Sequence, residues 1–374
     1  KKYNEQHQRI KETTKQKERN EKKYFHGEAF IVMNTEEQKE KAMEFLNGLS
    51  VDQIQKQYPS YTGQPKLNAK EANEPKEIIW ENIHSTKTER YVSIFLGWLV
   101  TIIFMAAVTV AFYFLIDFKG KLIEEAHAHY TEDPIYQEEY TKGIALGYII
   151  VILINLINKF AFSPLFHVIT HHEKHLSVSS SNLSYALKYT LCMFFTTALM
   201  TLLVEAIVHT NYTGSLGVIE EEHFMFIFTA YFSPIVFMLN PYTFFAWVKR
   251  KIYYGNHYYT QQEANKLMEL PEYSMGKRYA EVIKTIWFTF LYVELIPFGA
   301  IYSFTGIILY YFADKYVLTY ATCVKDSVSS ELSRTMVTVL DFTLVLKPAG
   351  ELIFDSHLRG GLSVSSLVML CIGV

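Results

Sequence analysis

Two long stretches without a charged residue constrain this chain more than any other feature. Residues 91–116 and 224–248 contain no Asp, Glu, Lys or Arg. A helix needs about 20 consecutive apolar residues to cross a bilayer, because the hydrocarbon core is about 30 Å thick and each residue rises about 1.5 Å. Core helices of water-soluble proteins seldom run so far without a polar face. The sequence therefore predicts an all-α polytopic membrane bundle.

The charged residues, 20% of the chain, are concentrated in the first ninety positions and in the loops. A net charge of -3 gives no indication of a nucleic-acid partner. The three cysteines lie far apart, which excludes a disulfide framework and a zinc-binding pattern. The chain opens on a charged run and stops inside an apolar run, so we expect it to be an internal segment of a longer protein.

The N-terminal side is predicted to be water-exposed. Residues 1–23 have no regular apolar stripe and indicate a charged helix or linker. Residues 24–33 are rich in aromatic and β-branched side chains and predict a strand, whereas residues 35–49 predict an amphipathic helix ended by Gly48. A strand followed by a helix is typical of a small α/β domain, which we assign to residues 24–84, before a membrane core at residues 85–374.

The membrane core is expected to contain about eight helices, the last of them truncated. Lys159, near the end of the second span, is expected to snorkel to the surface. The break at Pro297-Phe298-Gly299 favours two short helices over one long helix. The predicted spans are residues 91–116, 143–162, 185–208, 224–248, two within 285–313, 336–358, and one from 362 onward.

Lys and Arg in short loops predict the orientation. The segment 249–278 is strongly basic and is expected in the cytoplasm, whereas residues 209–223 hold three glutamates without Lys or Arg and are expected outside. Asn211 begins a glycosylation sequon in that outside loop. Counting back through the spans places the N-terminal domain in the cytoplasm.

Two carboxylates lie inside predicted spans, Glu205 and Glu294. A carboxylate costs about 2.5–3.5 kcal/mol at the middle of an inserted helix, so it normally faces a bundle interior or water. Both residues could line a cation path. Glu205 could equally be an interfacial group, because it lies one turn from the predicted outer surface, beside His209.

Prolines interrupt the fourth predicted span at Pro234 and Pro241. Each proline removes a backbone donor and frees a carbonyl group that needs another partner. The freed carbonyls could line an aqueous cavity and the prolines could act as hinges, together with Pro297 and Gly299. Kinks without any gating role are an equally valid interpretation.

No other motif points to a reaction, a metal or a cofactor. Four histidines follow the second span, and their spacing could bind a metal, but a hydrated helix end explains them better. They are His167, His171, His172 and His175. Neither a nucleophile elbow, a phosphate-binding loop, a zinc-protease motif nor a kinase signature occurs, so the chain is not expected to be an enzyme.

Several motifs, in order between residues 24 and 320, resemble one family. They are EPKEIIWENI at 74–83, EKHLSVSSSN at 173–182, the Pro297-Phe298-Gly299 break followed by DKYVLTY at 314–320, and a strand at 27–33 similar to the central motif of RNA-recognition domains. The family comprises the calcium-permeable stress-gated cation channels, the OSCA proteins of plants and their transmembrane-63-like animal relatives. Glu28 and Met33 stand where RNA-binding domains need stacking aromatics, so no nucleic acid is expected as a partner.

The resemblance implies an anoctamin-like, eleven-helix subunit that forms a homodimer, in the plasma membrane or an endomembrane. It implies a mechanosensitive or osmosensing, non-selective cation channel that interacts with the lipid bilayer and with Ca²⁺, Na⁺ and K⁺, without a cofactor. Carried over by position, the pore lining falls on Glu205, Ser233, Asn240 and Glu294. The sequence departs from the family at the uncharged stretch 233–242 and at Val317, which replaces the family asparagine.

Two other functions remain open at the level of sequence. A phospholipid scramblase of the anoctamin-like superfamily would need a polar groove open to lipid along the third and fourth spans. A non-conducting structural subunit would need a plugged interior, for which the bulky side chains of Phe237, Phe244, Phe245 and Trp247 are candidates.

Overall fold

The computed structural model describes residues 29–49, 69–72, 74–129, 134–200, 202–203, 215–239, 241–253, 260–324 and 330–358. The chain separates into two compact units, residues 1–86 and 87–374.

The first unit contains the predicted amphipathic helix but not the predicted strand. Helix α1, Glu36–Gly48, is confirmed, and the side chain of Thr35 caps it by accepting a hydrogen bond from the Gln38 amide. Residues 29–33, the described part of the predicted strand, form no strand, and Ile31 and Val32 are exposed. The described residues of this unit supply no neighbouring strand to pair with them. The RNA-recognition-like fold therefore remains a prediction.

The second unit is a helical bundle in which three helices change to π-helical geometry for about one turn. These π-turns are Ile157–Phe162, Phe195–Leu199 and Phe228–Phe232. The α-helices are α2 Lys87–His129, α3 Pro134–Leu156, α4 Ser163–His171, α5 Val178–Phe194, α6 Ser215–Ile227, α7 Ser233–Leu239, α8 Pro241–Tyr253, α9 Gln261–Met268, α10 Met275–Tyr292, α11 Gly299–Tyr320, α12 Ser330–Leu340 and α13 Thr343–Leu358.

Three helical segments in the described part of the chain are long and apolar enough to cross a membrane. They are Lys87–Ile123, Thr141–His171 and Glu221–Leu239. These segments confirm a membrane-embedded helical protein and correspond to the predicted spans 91–116, 143–162 and 224–248. Residues 241–248 of the last predicted span lie in α8.

The other predicted spans remain predictions, although several of them form helices. Helix α10 carries four charged residues, and neither α10 nor α5 is among the segments long and apolar enough to cross a membrane. The expected break at Pro297 is observed, since α10 ends at Tyr292 and α11 begins at Gly299. The predicted span 336–358 is also broken, at residues 341–342, and residues from 362 onward lie outside the described part of the chain.

The main hydrophobic core is centred on α10. Trp287 and Phe288 are buried among side chains of α3, α5, α6 and α13. Helix α11 lies close to the third π-turn, between α6 and α7. A Cβ added at Gly306 would come within 2.9 Å of the Ala230 backbone, so only a glycine fits there. This packing brings the three π-turns and the first half of α10 into one region of the bundle.

Candidate functional site: a buried polar layer at three π-turns

Polar side chains of the first two π-turns bind one another inside the bundle. Thr196 donates to the Asn158 carbonyl oxygen Oδ1 over 2.8 Å, and the Asn158 amide donates to the Thr197 hydroxyl over 3.2 Å. All three side chains are at most 2% exposed. A π-turn inserts an extra residue into a helix and disturbs its regular hydrogen bonding, and such insertions are frequent at functional sites. Here they place an interhelical hydrogen-bond network where a membrane helix would ordinarily be apolar.

The third π-turn joins the same layer through Asn155. The Thr229 hydroxyl lies 3.4 Å from Asn155 Oδ1, and the Asn155 amide donates to Met225 Sδ over 3.2 Å. Asn155 lies two residues before the first π-turn. The three π-turns are therefore linked by buried side chains at one level of the bundle.

Charged groups meet beside this layer. Lys159, in the first π-turn, donates to the Ser233 backbone oxygen over 3.0 Å and lies 3.9 Å from Glu281 Oε1. Lys284 and the Tyr310 hydroxyl lie 3.3 and 3.2 Å from Glu281 Oε2. We call this group the ionic cluster: Lys159, Glu281, Lys284, Tyr310 and the Ser233 carbonyl. Every one of these residues is at most 8% exposed.

The ionic cluster corrects two predictions. Lys159 does not snorkel to the surface, because the π-turn directs its side chain inward towards Ser233 and Glu281. Glu281 and Lys284 precede the predicted span 285–313, yet α10 begins ten residues earlier, at Met275. A carboxylate and an ammonium three residues apart share a helix face, which is the sequence signal that could have extended this span upstream.

A second polar cluster lies towards the other end of α10. Tyr292 donates to the Ala198 backbone oxygen over 2.8 Å and to Glu222 over 3.2 Å. Glu221 pairs with Lys119 over 2.7 Å. Since Tyr292 follows Glu281 by eleven residues, the two clusters are separated by about 16 Å along α10.

The second polar cluster changes the interpretation of the predicted outside loop 209–223. Residues 215–223 belong to α6, and Glu222 is only 1% exposed. Glu221 and Glu222 face the bundle and have partners there, Lys119 and Tyr292, so they are not free groups on a loop. Between the two clusters the Phe226 and Phe288 rings pack with centroids 4.2 Å apart, and the space there is apolar.

The predicted hinge and pore residues divide between these regions. Ser233 is fully buried and contributes its carbonyl to the ionic cluster, with Pro234 buried beside it in the first turn of α7. Gly299 starts α11 against Phe226, where an added Cβ would lie 2.7 Å from the ring.

The remaining predicted residues are not part of the ionic cluster. Glu294 and Pro297 are exposed in the turn between α10 and α11, and Pro241 begins α8. Glu205, Asn211 and Asn240 lie outside the described residues.

A separate buried ion pair closes the end of the second span. Glu173 follows α4, and Lys188 Nζ lies 2.7 Å from its Oε1. Ser184 and His175 reach its Oε2 over 2.7 and 2.9 Å. We call these four residues the Glu173 clamp. Burial acts to raise the pKa of the Glu173 carboxyl, but the hydrogen bonds from His175, Lys188 and Ser184 outweigh it and lower that pKa.

The clamp depends on two backbone features. Lys174 has a φ of 51°, a left-handed conformation that few residues other than glycine adopt. Gly97 lies against the Glu173 carboxylate, where an added Cβ would come 1.9 Å from Oε1. The clamp occupies the start of the segment 173–182 that resembles the channel family, and it connects α2, the α4–α5 loop and α5.

The histidine cluster and the comparisons with known proteins add no further assignment. His175 belongs to the clamp, whereas His167, His171 and His172 are exposed, and no group of three or more metal-binding side chains occurs in the described ranges. No protein-family model matches the chain, and no characterised protein matches it significantly.

Proposed function

We propose that this protein is a mechanosensitive, calcium-permeable cation channel whose closed state is held by the ionic cluster. The observation that carries the proposal is the meeting of Lys159, Glu281 and the Ser233 carbonyl at a level where three helices change to π-helical geometry. Ionisable groups at membrane depth are costly and mark ion pathways, proton relays and sensors.

The contacts of Lys159 hold three elements of the bundle together. Its ammonium joins the second span to α7 through Ser233 and to α10 through Glu281. A conduction path at this level requires these three elements to separate. Membrane tension favours the state with the larger in-plane area, and a ligand or force shifts an equilibrium only by its differential effect on the two states. Separation of the elements would provide that larger area.

The carboxylates favour cations as the conducted species. Glu281 lies in the ionic cluster and Glu222 in the second polar cluster, and Phe226 and Phe288 close the apolar space between them. Hydrophobic constrictions in channels block ions by excluding water, and rings of Asp or Glu select cations. Loss of the Glu281 charge should therefore reduce the preference for cations.

Pressure-clamp recording of the full-length protein, in cells without other stretch-activated channels, tests the proposal. We expect a stretch-activated cation current, with half-activation at lower pressure in Lys159→Met. The matched control is Lys121→Met, because Lys121 is exposed and pairs with Asp117 on the same helix. Absence of current from protein detected at the cell surface would reject the channel.

Lipid scrambling is the second candidate, and one feature of the cluster favours it. Two ammonium groups, Lys159 and Lys284, face a single carboxylate, Glu281, so the layer has an excess of positive charge that suits a lipid phosphate. Full-length protein in liposomes with a fluorescent headgroup would then transfer lipid between leaflets, and Lys284→Met would slow this transfer.

A protein that neither conducts nor scrambles would be a structural subunit. Of the bulky residues predicted to plug its interior, Phe244 and Trp247 are exposed on α8, which does not favour this alternative.

A further inference from the structure

Helix α8 presents aromatic and basic side chains that the bundle does not use. Phe244, Trp247 and Ile252 are 60%, 53% and 70% exposed. Phe244 and Trp247 stack with centroids 6.0 Å apart, and the Lys251 ammonium lies 5.2 Å over the Trp247 ring. Positions 244, 247 and 251 recur at helical spacing, so these three side chains share one face of α8.

The position of α8 places this face at the membrane boundary. The uncharged run 224–248 ends within α8, and Lys249, Arg250 and Lys251 follow it directly. Trp residues are enriched at the membrane–water interface, where an apolar ring can reach acyl chains while polar atoms stay among the headgroups. An amphipathic helix with aromatic and basic side chains lies in that plane.

The charges of α8 are available to a lipid. Within the described residues neither Lys249 nor Lys251 forms an ion pair, and both are exposed. Arg250 instead donates to the Met268 backbone oxygen, which fixes α8 against the end of α9. The segment belongs to the loop predicted to be cytoplasmic, and the cytoplasmic leaflet carries anionic lipids that attract basic segments.

We infer that Trp247, Lys249 and Lys251 form a binding site for anionic phospholipid headgroups. The phosphate lies beside the Lys251 ammonium, and Trp247 holds Lys251 in place while its ring faces the acyl chains. Lys249, on the opposite side of the helix, adds positive charge at the same depth. This inference depends on the membrane location of the third candidate span and is independent of whether the protein conducts ions.

Native mass spectrometry of the full-length protein in detergent, with added phosphatidylserine or phosphatidylcholine, tests the site. A lysine at a membrane surface contributes about fivefold in affinity, so Lys249→Gln/Lys251→Gln should weaken phosphatidylserine binding about 30-fold and leave phosphatidylcholine binding unchanged. The matched control, Lys121→Gln/Lys142→Gln, removes two exposed lysines that pair with neighbours on their own helices.

Three further variants separate a lipid site from general effects. Lys249→Arg/Lys251→Arg keeps the charges and should keep the phosphatidylserine preference, which excludes misfolding as the cause of the loss. Trp247→Phe should retain most of the binding, and Trp247→Ala should reduce it. Equal phosphatidylserine binding by the wild type and Lys249→Gln/Lys251→Gln would overturn the site, because the lysines would then only complement the carbonyl end of the helix.

Discussion

Two buried carboxylates in this protein, Glu173 and Glu281, each meet a lysine, but with different geometry. In the Glu173 clamp the distances from donors to the carboxylate are 2.7–2.9 Å. Around Glu281 they are 3.2–3.9 Å. The clamp connects residues 173–188, which are close in sequence, whereas the ionic cluster connects residues more than a hundred positions apart.

This difference in distances indicates that the Glu173 clamp stays closed, whereas the contacts of the ionic cluster can open. Removal of one partner from a buried ion pair leaves an uncompensated charge and costs about 3–5 kcal/mol. The ionic cluster has longer distances and two lysines for one carboxylate. It therefore loses less stability when one ammonium group moves away, since the other still compensates the carboxylate. We therefore assign stability to the Glu173 clamp and gating to the ionic cluster.

The largest expected effect is on the clamp. Lys188→Met should lower the free energy of unfolding by about 3–5 kcal/mol, because Glu173 would remain buried without its ammonium partner. Chemical unfolding of the detergent-solubilised protein measures this change. The control Lys121→Met breaks an exposed pair and should change it by about 1 kcal/mol or less. Similar losses of unfolding free energy in both variants would show that the clamp contributes no more stability than an exposed ion pair.

Gly97→Ala should have the next largest effect. The added Cβ would lie 1.9 Å from Glu173 Oε1, so the carboxylate must move away from its donors. Overpacking of this kind costs about 1–3 kcal/mol. The same unfolding measurement applies, with Gly48→Ala as a control because nothing lies within 4 Å of a Cβ at that position. A neutral Gly97→Ala would mean that the clamp can shift without loss.

Lys159→Met tests the assignment of the ionic cluster to gating. We expect a loss of about 1 kcal/mol or less in unfolding free energy, because Lys284 and Tyr310 continue to compensate Glu281. The effect should appear in the half-activation pressure, which the variant lowers. A loss as large as that of Lys188→Met would show that both ion pairs are structural.

The smallest effect concerns pH. The pKa of Glu173 is lowered in the folded state from a usual value of 4.5, so its contribution to stability is complete above about pH 4.5 and is lost as the pH falls through the folded-state pKa. Between pH 4.5 and 4.0 one such group changes the unfolding free energy by at most about 0.7 kcal/mol. Unfolding at both pH values should show a smaller slope in Glu173→Gln. If the pH dependence of the unfolding free energy were the same in Glu173→Gln as in the wild type, Glu173 would not be its source.

Apolar length predicted the parts of the fold that depend on the bilayer. The uncharged run 91–116 lies within α2, and the break at Pro297 occurs where a proline removes a backbone donor. The π-turns could not be predicted, because an inserted residue leaves no mark in hydropathy. Glu281 and Lys284 were excluded from the predicted span by their charge, although the charges are paired inside the bundle.

The candidate site was predicted less completely than the spans. Ser233 was expected to line a pore, and its carbonyl indeed contacts a buried charge, but the contacting residue, Lys159, was expected at the surface. Glu294 was expected near the path and is exposed in a turn. The error for Lys159 arose because sequence spacing gives the depth of a residue, whereas the direction of its side chain depends on local helical geometry. Pore lining by Ser233 and Glu294 stays a prediction.

Accessibility of position 233 under tension is the most direct test of the ionic cluster as a gate. Ser233→Cys, made together with Cys323→Ser, places a small thiol beside Lys159 in full-length protein, and the Ser233 side chain is fully buried in this structure. A charged methanethiosulfonate reagent should modify the thiol slowly at rest and at least tenfold faster during applied stretch, with a change in current. Modification at the same rate with and without stretch would contradict the account.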